Sequence, residues 1–130
     1  MSRKRTALAA ALSLLQLAQP LLLGSTAAFA TSVVLFSTQA ADAQSAALYK
    51  KSGDAKVESG DYQGAIADYN KAIAVNPKDA DAYNNRGLAK GKLGDNQGAI
   101  ADYNMAIAIN PVYLYGFLNR GLAKKNLNNY

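Results

Sequence analysis

Neither cysteine nor histidine occurs in the 130 residues, and tryptophan is absent as well. Without cysteine there is no disulfide staple, thiolate nucleophile or haem attachment. Without either residue, nearly every zinc or copper ligand set is excluded. The missing histidine also removes the commonest general base near neutral pH. Charge of one sign is only modestly in excess: fourteen Lys and Arg face nine Asp and Glu, for a net +5. Arg3, Lys4 and Arg5 supply three of those cations, leaving +2 for the remainder. So small an excess gives no electrostatic ground for binding nucleic acid. Tyrosine, by contrast, occurs eight times. The length bounds the chain to one small domain plus any segment removed in processing.

The first thirty residues read as a secretory signal peptide. A basic start precedes an apolar run from Ala7 to Leu15, and Ala28-Phe29-Ala30 is a small-x-small cleavage pattern. A second such pattern, Ala41-Asp42-Ala43, would place the cut before Gln44. Residues 31–45 show no period and read as a linker. An uncleaved anchor is the rival reading, since no charge interrupts Ala7 to Phe36. Gln16, Gln19 and Pro20 make that a poor span, so cleavage is favoured. Export would end in a periplasm, a thylakoid lumen or the medium; membrane contact is expected only if the N-terminal segment stays.

A repeat organises the rest. Residues 46–79 align with 80–113 over 34 positions without a gap, and twenty pairs are identical. Residues 114–130 match the first half of the same unit, with Asn-Arg-Gly-Leu-Ala-Lys at 85–90 and again at 119–124. Self-similarity at a fixed period means stacked units. In the stretch from Tyr62 to Val75, the apolar residues Tyr62, Ala65, Ile66, Tyr69, Ala72 and Ile73 fall on one helical face. Gly60 and Gly94 suit left-handed helix ends, while Asp61, Asp79 and Asp95 suit N-caps. Pro77 and Pro111 should stop the second helix of each unit. The expected fold class is all-α: a solenoid of antiparallel helix hairpins, two full units plus the first helix of a third.

This pattern resembles the tetratricopeptide repeat family. The matching residues are Tyr49, Tyr83 and Phe117; Gly53, Gly87 and Gly121; Ala65 and Ala99; Tyr69 and Tyr103; Ala72 and Ala106; and the two prolines. Tyrosines 49, 62, 69, 83, 103 and 130 fall in packing slots, which argues against a base-stacking surface. Two slots depart from the family. The seventh holds Ser52, Arg86 and Arg120, and the eleventh holds Lys56, Lys90 and Lys124. Asp68 and Asp102 each precede a seventh-slot arginine by eighteen residues, so Asp68–Arg86 and Asp102–Arg120 are expected as ion pairs between units. The final helix should expose apolar side chains such as Leu122 and Leu127. Either the chain is a fragment of a longer array or that surface is covered by another molecule, by self-association or, in a membrane-tethered structural module, by docking into a larger complex.

The resemblance implies a concave groove lined by the first helix of each unit, holding extended peptide. Its slots carry Lys50, Lys51 and Asp54; Asn84, Asn85 and Leu88; and Tyr115, Leu118, Asn119 and Leu122. Lys50 and Asn85 match the carboxylate clamp of chaperone-binding members, whereas Asp54, Tyr115 and Asn119 do not. Asn85 and Asn119 also match the asparagine ladder of the repeat domain in O-linked N-acetylglucosamine transferase, which Lys51 interrupts. An amide side chain offers a donor and an acceptor to a peptide backbone. No catalytic constellation stands out: the glycines are spaced as turns, and Ser52 with Lys56 lacks an oxyanion site. A binding module with a protein or peptide partner is expected, not an enzyme, with no metal and no cofactor.

Overall fold

The computed structural model describes residues 26–128, with side-chain surroundings from residue 33 onward. Within them lie five helices and no strand: α1 (Thr26–Glu58), α2 (Tyr62–Val75), α3 (Ala80–Lys92), α4 (Asn96–Ile109) and α5 (Leu114–Asn128). Contacts divide the chain into two units, residues 1–36 and 37–130. Of the first, only residues 26–36 are described, all helical. Its basic start, its apolar run and the side chains of Ala28, Phe29 and Ala30 lie outside the described residues. Among the described residues, no helix is long and apolar enough to cross a membrane.

Residues 31–45 are helical rather than a linker, and α1 begins twenty residues before the expected start at Ala46. The physical reason is local. No glycine or proline occurs between Thr26 and Ser52, and alanine is frequent, so helix propensity prevails although no apolar stripe marks the segment.

The second unit is a helical solenoid. Gly60 and Gly94 end α1 and α3 at φ of 82° and 85°, the left-handed region where a side chain costs about 1 kcal/mol or more. The amides of Asp61 and Asp95 then reach back to the carbonyls of Lys56 and Lys90 at 2.8 and 3.0 Å, closing the two helix ends. The same aspartates cap the next helices, their carboxylates accepting from Gly64 and Gly98 amides at 2.9 and 2.8 Å. Asp79 caps α3 through the Ala82 amide at 3.1 Å. Asn76 and Asn110 close α2 and α4 one residue before the prolines, and their side chains accept from the amides of Lys78 and Val112.

Helix packing here depends on small residues. Ala65, Ala82, Ala89, Ala99 and Ala106 are fully buried, so backbones approach closely. Tyr69 is the only large side chain among the described residues that is almost wholly enclosed; it packs with Ala65 and Ala89, flanked by Val57, Tyr62 and Ile66. Tyr103 repeats this with Ala99, Ala123 and Ile100. The glycines of the eighth slot make room: a Cβ at Gly53 or Gly87 would lie 2.7 Å from the ring of Tyr69 or Tyr103. Of the other packing tyrosines, Tyr83 is buried and Tyr62 half-buried. Tyr49, expected in the core, is 37% exposed and lies under the Lys71 ammonium instead. Tyr130 lies outside the described residues.

Candidate functional site

The first helix of each hairpin contributes to one polar ladder. The Tyr69 hydroxyl donates to Asp54 Oδ1 at 2.7 Å, and Asn85 Nδ2 donates to the same oxygen at 3.0 Å. Asn84 Nδ2 donates to Asn85 Oδ1 at 3.3 Å, while Asn119 Nδ2 donates to Asn84 Oδ1 at 2.9 Å. The ladder therefore runs from α5 through α3 to α1 and ties three helices that are not consecutive in the chain. Among the described residues, no buried side-chain nitrogen or oxygen lacks a partner. That satisfaction matters, because an unpaired buried polar group costs about 1–3 kcal/mol. Asn85 and Asn119 thus do structural work, holding the three helices together. Asn84, buried between them, is the connecting rung.

Burial and the neighbouring Asp54 carboxylate both push the Tyr69 hydroxyl well above its ordinary range, so it stays a proton donor. Tyr113 is raised for the same two causes, with Asp81 as its acceptor at 2.6 Å. Burial lifts Tyr103 to about 12. None of these shifts moves a group toward neutrality, where acid–base catalysis would need it.

The groove cations separate into two kinds. Lys50 is committed: its ammonium lies 3.1 Å from Asp79 and 3.8 Å from Asp81. Lys51 is exposed and, among the described residues, has no carboxylate partner. Beyond the ladder, Leu88 and Leu122 line a shallow cleft of about 230 Å³ with Asn119, Ala123 and Asn126 of α5 and Gly91 and Lys92 of α3. Asn96 and Tyr103 complete its lining. The cleft therefore brings together Leu88, Asn119 and Leu122 of the expected groove. Lys50, Lys51 and Asp54 are on α1 and are not among its lining residues. Tyr115 and Leu118 are exposed, Tyr115 standing edge-on to Tyr113. Lys92 and Asn126 were not singled out by sequence, because they fall where the repeats do not agree. Among the described residues, no group of three or more Asp or Glu is placed to hold a metal ion.

The expected ion pairs between units are not formed. Arg86 turns to Asp102, with Nε at 2.9 Å and Nη2 at 2.6 Å from its two oxygens, and Lys90 adds a third contact at 2.9 Å. Asp68 is held by Ser52 Oγ and Lys56 Nζ, each at 2.6 Å. These donors, Lys56 first, hold the Asp68 carboxyl below its usual range. Both clamps therefore lie within a hairpin, sixteen and twelve residues apart, because the antiparallel helices set the seventh and eleventh slots of one against the aspartate of the other. The inter-unit partner of each arginine is an asparagine: Arg86 Nη1 donates to Asn70 at 2.7 Å and Arg120 Nη1 to Asn104 at 2.8 Å. A sequence signal for these asparagines existed, since each ends the unbroken repeated run Gln-Gly-Ala-Ile-Ala-Asp-Tyr-Asn.

Residues 53–94 match the model described as TPR repeat, and residues 80–113 match the one described as Tetratricopeptide repeat. No curated protein sequence matches the chain significantly. Among solved structures, the first TPR of Spaghetti (RPAP3) bound to the HSP90 peptide SRMEEVD is similar at 30% identity and a TM-score of 0.65, over 67% of this chain and 69% of that one. The Arabidopsis OM64 TPR domain is similar at 28% identity and a TM-score of 0.66, over 68% and 74%. MamA is similar at 33% identity and a TM-score of 0.63, over 65% of this chain and 49% of that one.

Proposed function

The chain belongs to the tetratricopeptide repeat family, and from that premise we propose that it is a non-catalytic interaction module whose concave groove holds an extended segment of a partner protein. The observation that carries this reading is the cleft between α3 and α5. Leu88 and Leu122 offer exposed apolar surface there, beside the Asn119 amide, whose Nδ2 is held by Asn84. An amide already held in place lowers the ordering cost of binding, and its free oxygen suits a peptide backbone whatever the side chains. The TPR domain of Spaghetti bound to SRMEEVD supports a peptide as ligand class.

The ligand is an internal segment rather than a C-terminal carboxylate. Lys50, which matches one clamp position, is neutralised by Asp79 and Asp81, and Asp54 places a negative charge within the ladder. Anisotropy titrations decide this. A peptide selected from a random dodecamer display library should bind saturably, and Leu88→Glu with Leu122→Glu should weaken it at least tenfold. SRMEEVD should show no saturable binding. Unchanged affinity in the double variant would overturn the groove reading.

We extend the proposal to location: the module acts outside the cytoplasm, on the strength of the basic start, apolar run and small-x-small pattern before residue 31. Cutting after Ala30 or after Ala43 removes none of the groove residues. Intact mass of the native protein should give a start at Thr31 or Gln44; a retained Met1 would favour the anchored alternative.

A further inference from the structure

The first two hairpins share a buried tyrosine but not its hydrogen bond. In the first, the Tyr69 hydroxyl donates to Asp54 Oδ1, which also accepts from Asn85 Nδ2. One repeat later the same three slots hold Tyr103, Leu88 and Asn119. Leucine offers no acceptor, and Asn119 Nδ2 turns to Asn84 instead. Among the described residues, the Tyr103 hydroxyl therefore makes no hydrogen bond, although the residue is only 3% exposed.

That hydroxyl is not sealed off. No fully enclosed polar side-chain atom among the described residues lacks a partner, and Tyr103 lines the cleft between α3 and α5. Asn96, 7% exposed, lines the same cleft, and its side-chain amide has no partner among the described residues either. Two unpartnered polar groups in one cleft depart from the rule that buried polar groups are hydrogen-bonded. Repeat symmetry says what would satisfy the tyrosine: a carboxylate in the place that Asp54 takes one hairpin earlier. The surrounding charges agree. Lys92 lines the cleft, is exposed, and has no carboxylate partner among the described residues. Asp102, beside Tyr103, is already matched by Arg86 and Lys90, so little of its charge is left to repel an incoming anion. Burial, helped by that aspartate, lifts Tyr103 to about 12, so its hydroxyl stays a donor at neutral pH.

We infer that the cleft takes one acidic side chain, Asp or Glu, of the bound segment, its carboxylate accepting from the Tyr103 hydroxyl and the Asn96 amide beside the Lys92 ammonium. The inference rests on the groove reading above and names the residue type that the groove selects. Apolar residues flanking the acid cover Leu88 and Leu122. The group recognised is a side-chain carboxylate at α3 and α4, not a chain terminus at Lys50 and Asn85. A single acid is specified. Asp54, joined to Asn119 through Asn85 and Asn84, disfavours a run of them, in keeping with the lack of binding expected of SRMEEVD.

The test uses the full chain and dodecamers selected against it from the display library, then made with a fluorescent label and an amidated C-terminus. The selected peptides should share one position held by Asp or Glu between apolar residues. Changing that position to Asn or Gln should weaken binding at least about tenfold in anisotropy. In the Tyr103→Phe, Lys92→Gln variant the same change should cost less than about twofold, because the partners of the carboxylate are gone. Tyr103→Phe alone should not lower the melting temperature at pH 7, since no bond within the chain is lost, whereas Tyr69→Phe should lower it. Saturable binding with no shared acidic position, or an undiminished tenfold loss in the double variant, would overturn this inference and leave the groove reading standing. Binding indifferent to Leu88→Glu with Leu122→Glu would overturn the groove reading and this inference with it. So would the failure of every selected dodecamer to bind saturably.

Discussion

The first two hairpins bury the same aspartate with different donors. Asp68 accepts from a neutral hydroxyl and a lysine that is about one-third exposed, whereas Asp102 accepts from a bidentate arginine and a more enclosed lysine. Arg86 also reaches back to Asn70, which Ser52 has no means to imitate. The acceptor and its position belong to the repeat; the donors belong to the neighbours each hairpin has. Arg86 thus joins one hairpin internally and two hairpins to each other.

The largest expected effect distinguishes these two clamps. Asp102→Ala leaves two cations partly buried without a counter-charge and should cost about 3 kcal/mol. Asp68→Ala leaves a hydroxyl and a more solvated ammonium, and should cost about 1–2 kcal/mol. Urea unfolding of both variants measures the difference; equal losses would mean that the arginine adds nothing beyond the serine. Next come the eighth-slot glycines. Gly87→Ala pushes a methyl to 2.7 Å from the Tyr103 ring and 3.2 Å from the Ala99 carbonyl, so about 1–3 kcal/mol should be lost. Gly121→Ala meets open space in a helix interior and should gain up to about 1 kcal/mol. Thermal melts of the pair read this opposition directly.

The smallest effect is on pH dependence. The Asp68 carboxyl is lowered in the fold, so its contribution is present above its unfolded pKa of 3.8 and is lost as pH falls through and below that value. Asp68→Asn should flatten the acid limb of a urea-midpoint profile, judged against its own value at pH 7. The buried tyrosines act in the opposite direction. Tyr69 and Tyr103 are raised above 10.0, so stability is full below pH 10 and declines as the unfolded chain ionises above it. Tyr103→Phe should reduce that alkaline loss.

Much of this was legible from residues alone. Tyr62–Val75 is a helix with the limits its apolar spacing indicates, Gly60 and Gly94 are left-handed, and Asp61, Asp79 and Asp95 cap the helices that follow. Such features rest on backbone sterics within a few residues, and the 34-residue period multiplies each signal. The helical state of residues 31–45 was missed because helix propensity leaves no periodic mark when no face is buried.

The candidate site was legible only as a set of positions. The sequence marks Asn85 and Asn119 as parallel rungs, but the structure links them through Asn84, whose burial no single-helix pattern reveals.

What recurrence along the chain dictates is the class of fold, the turns and the residues that share a slot, because those follow from local geometry and a fixed repeat. Which carboxylate Arg86 meets was settled by three-dimensional packing. Separations of sixteen and eighteen residues are equally compatible with a long side chain's reach, and only the relative rotation of two antiparallel helices places one partner in contact and the other out of it.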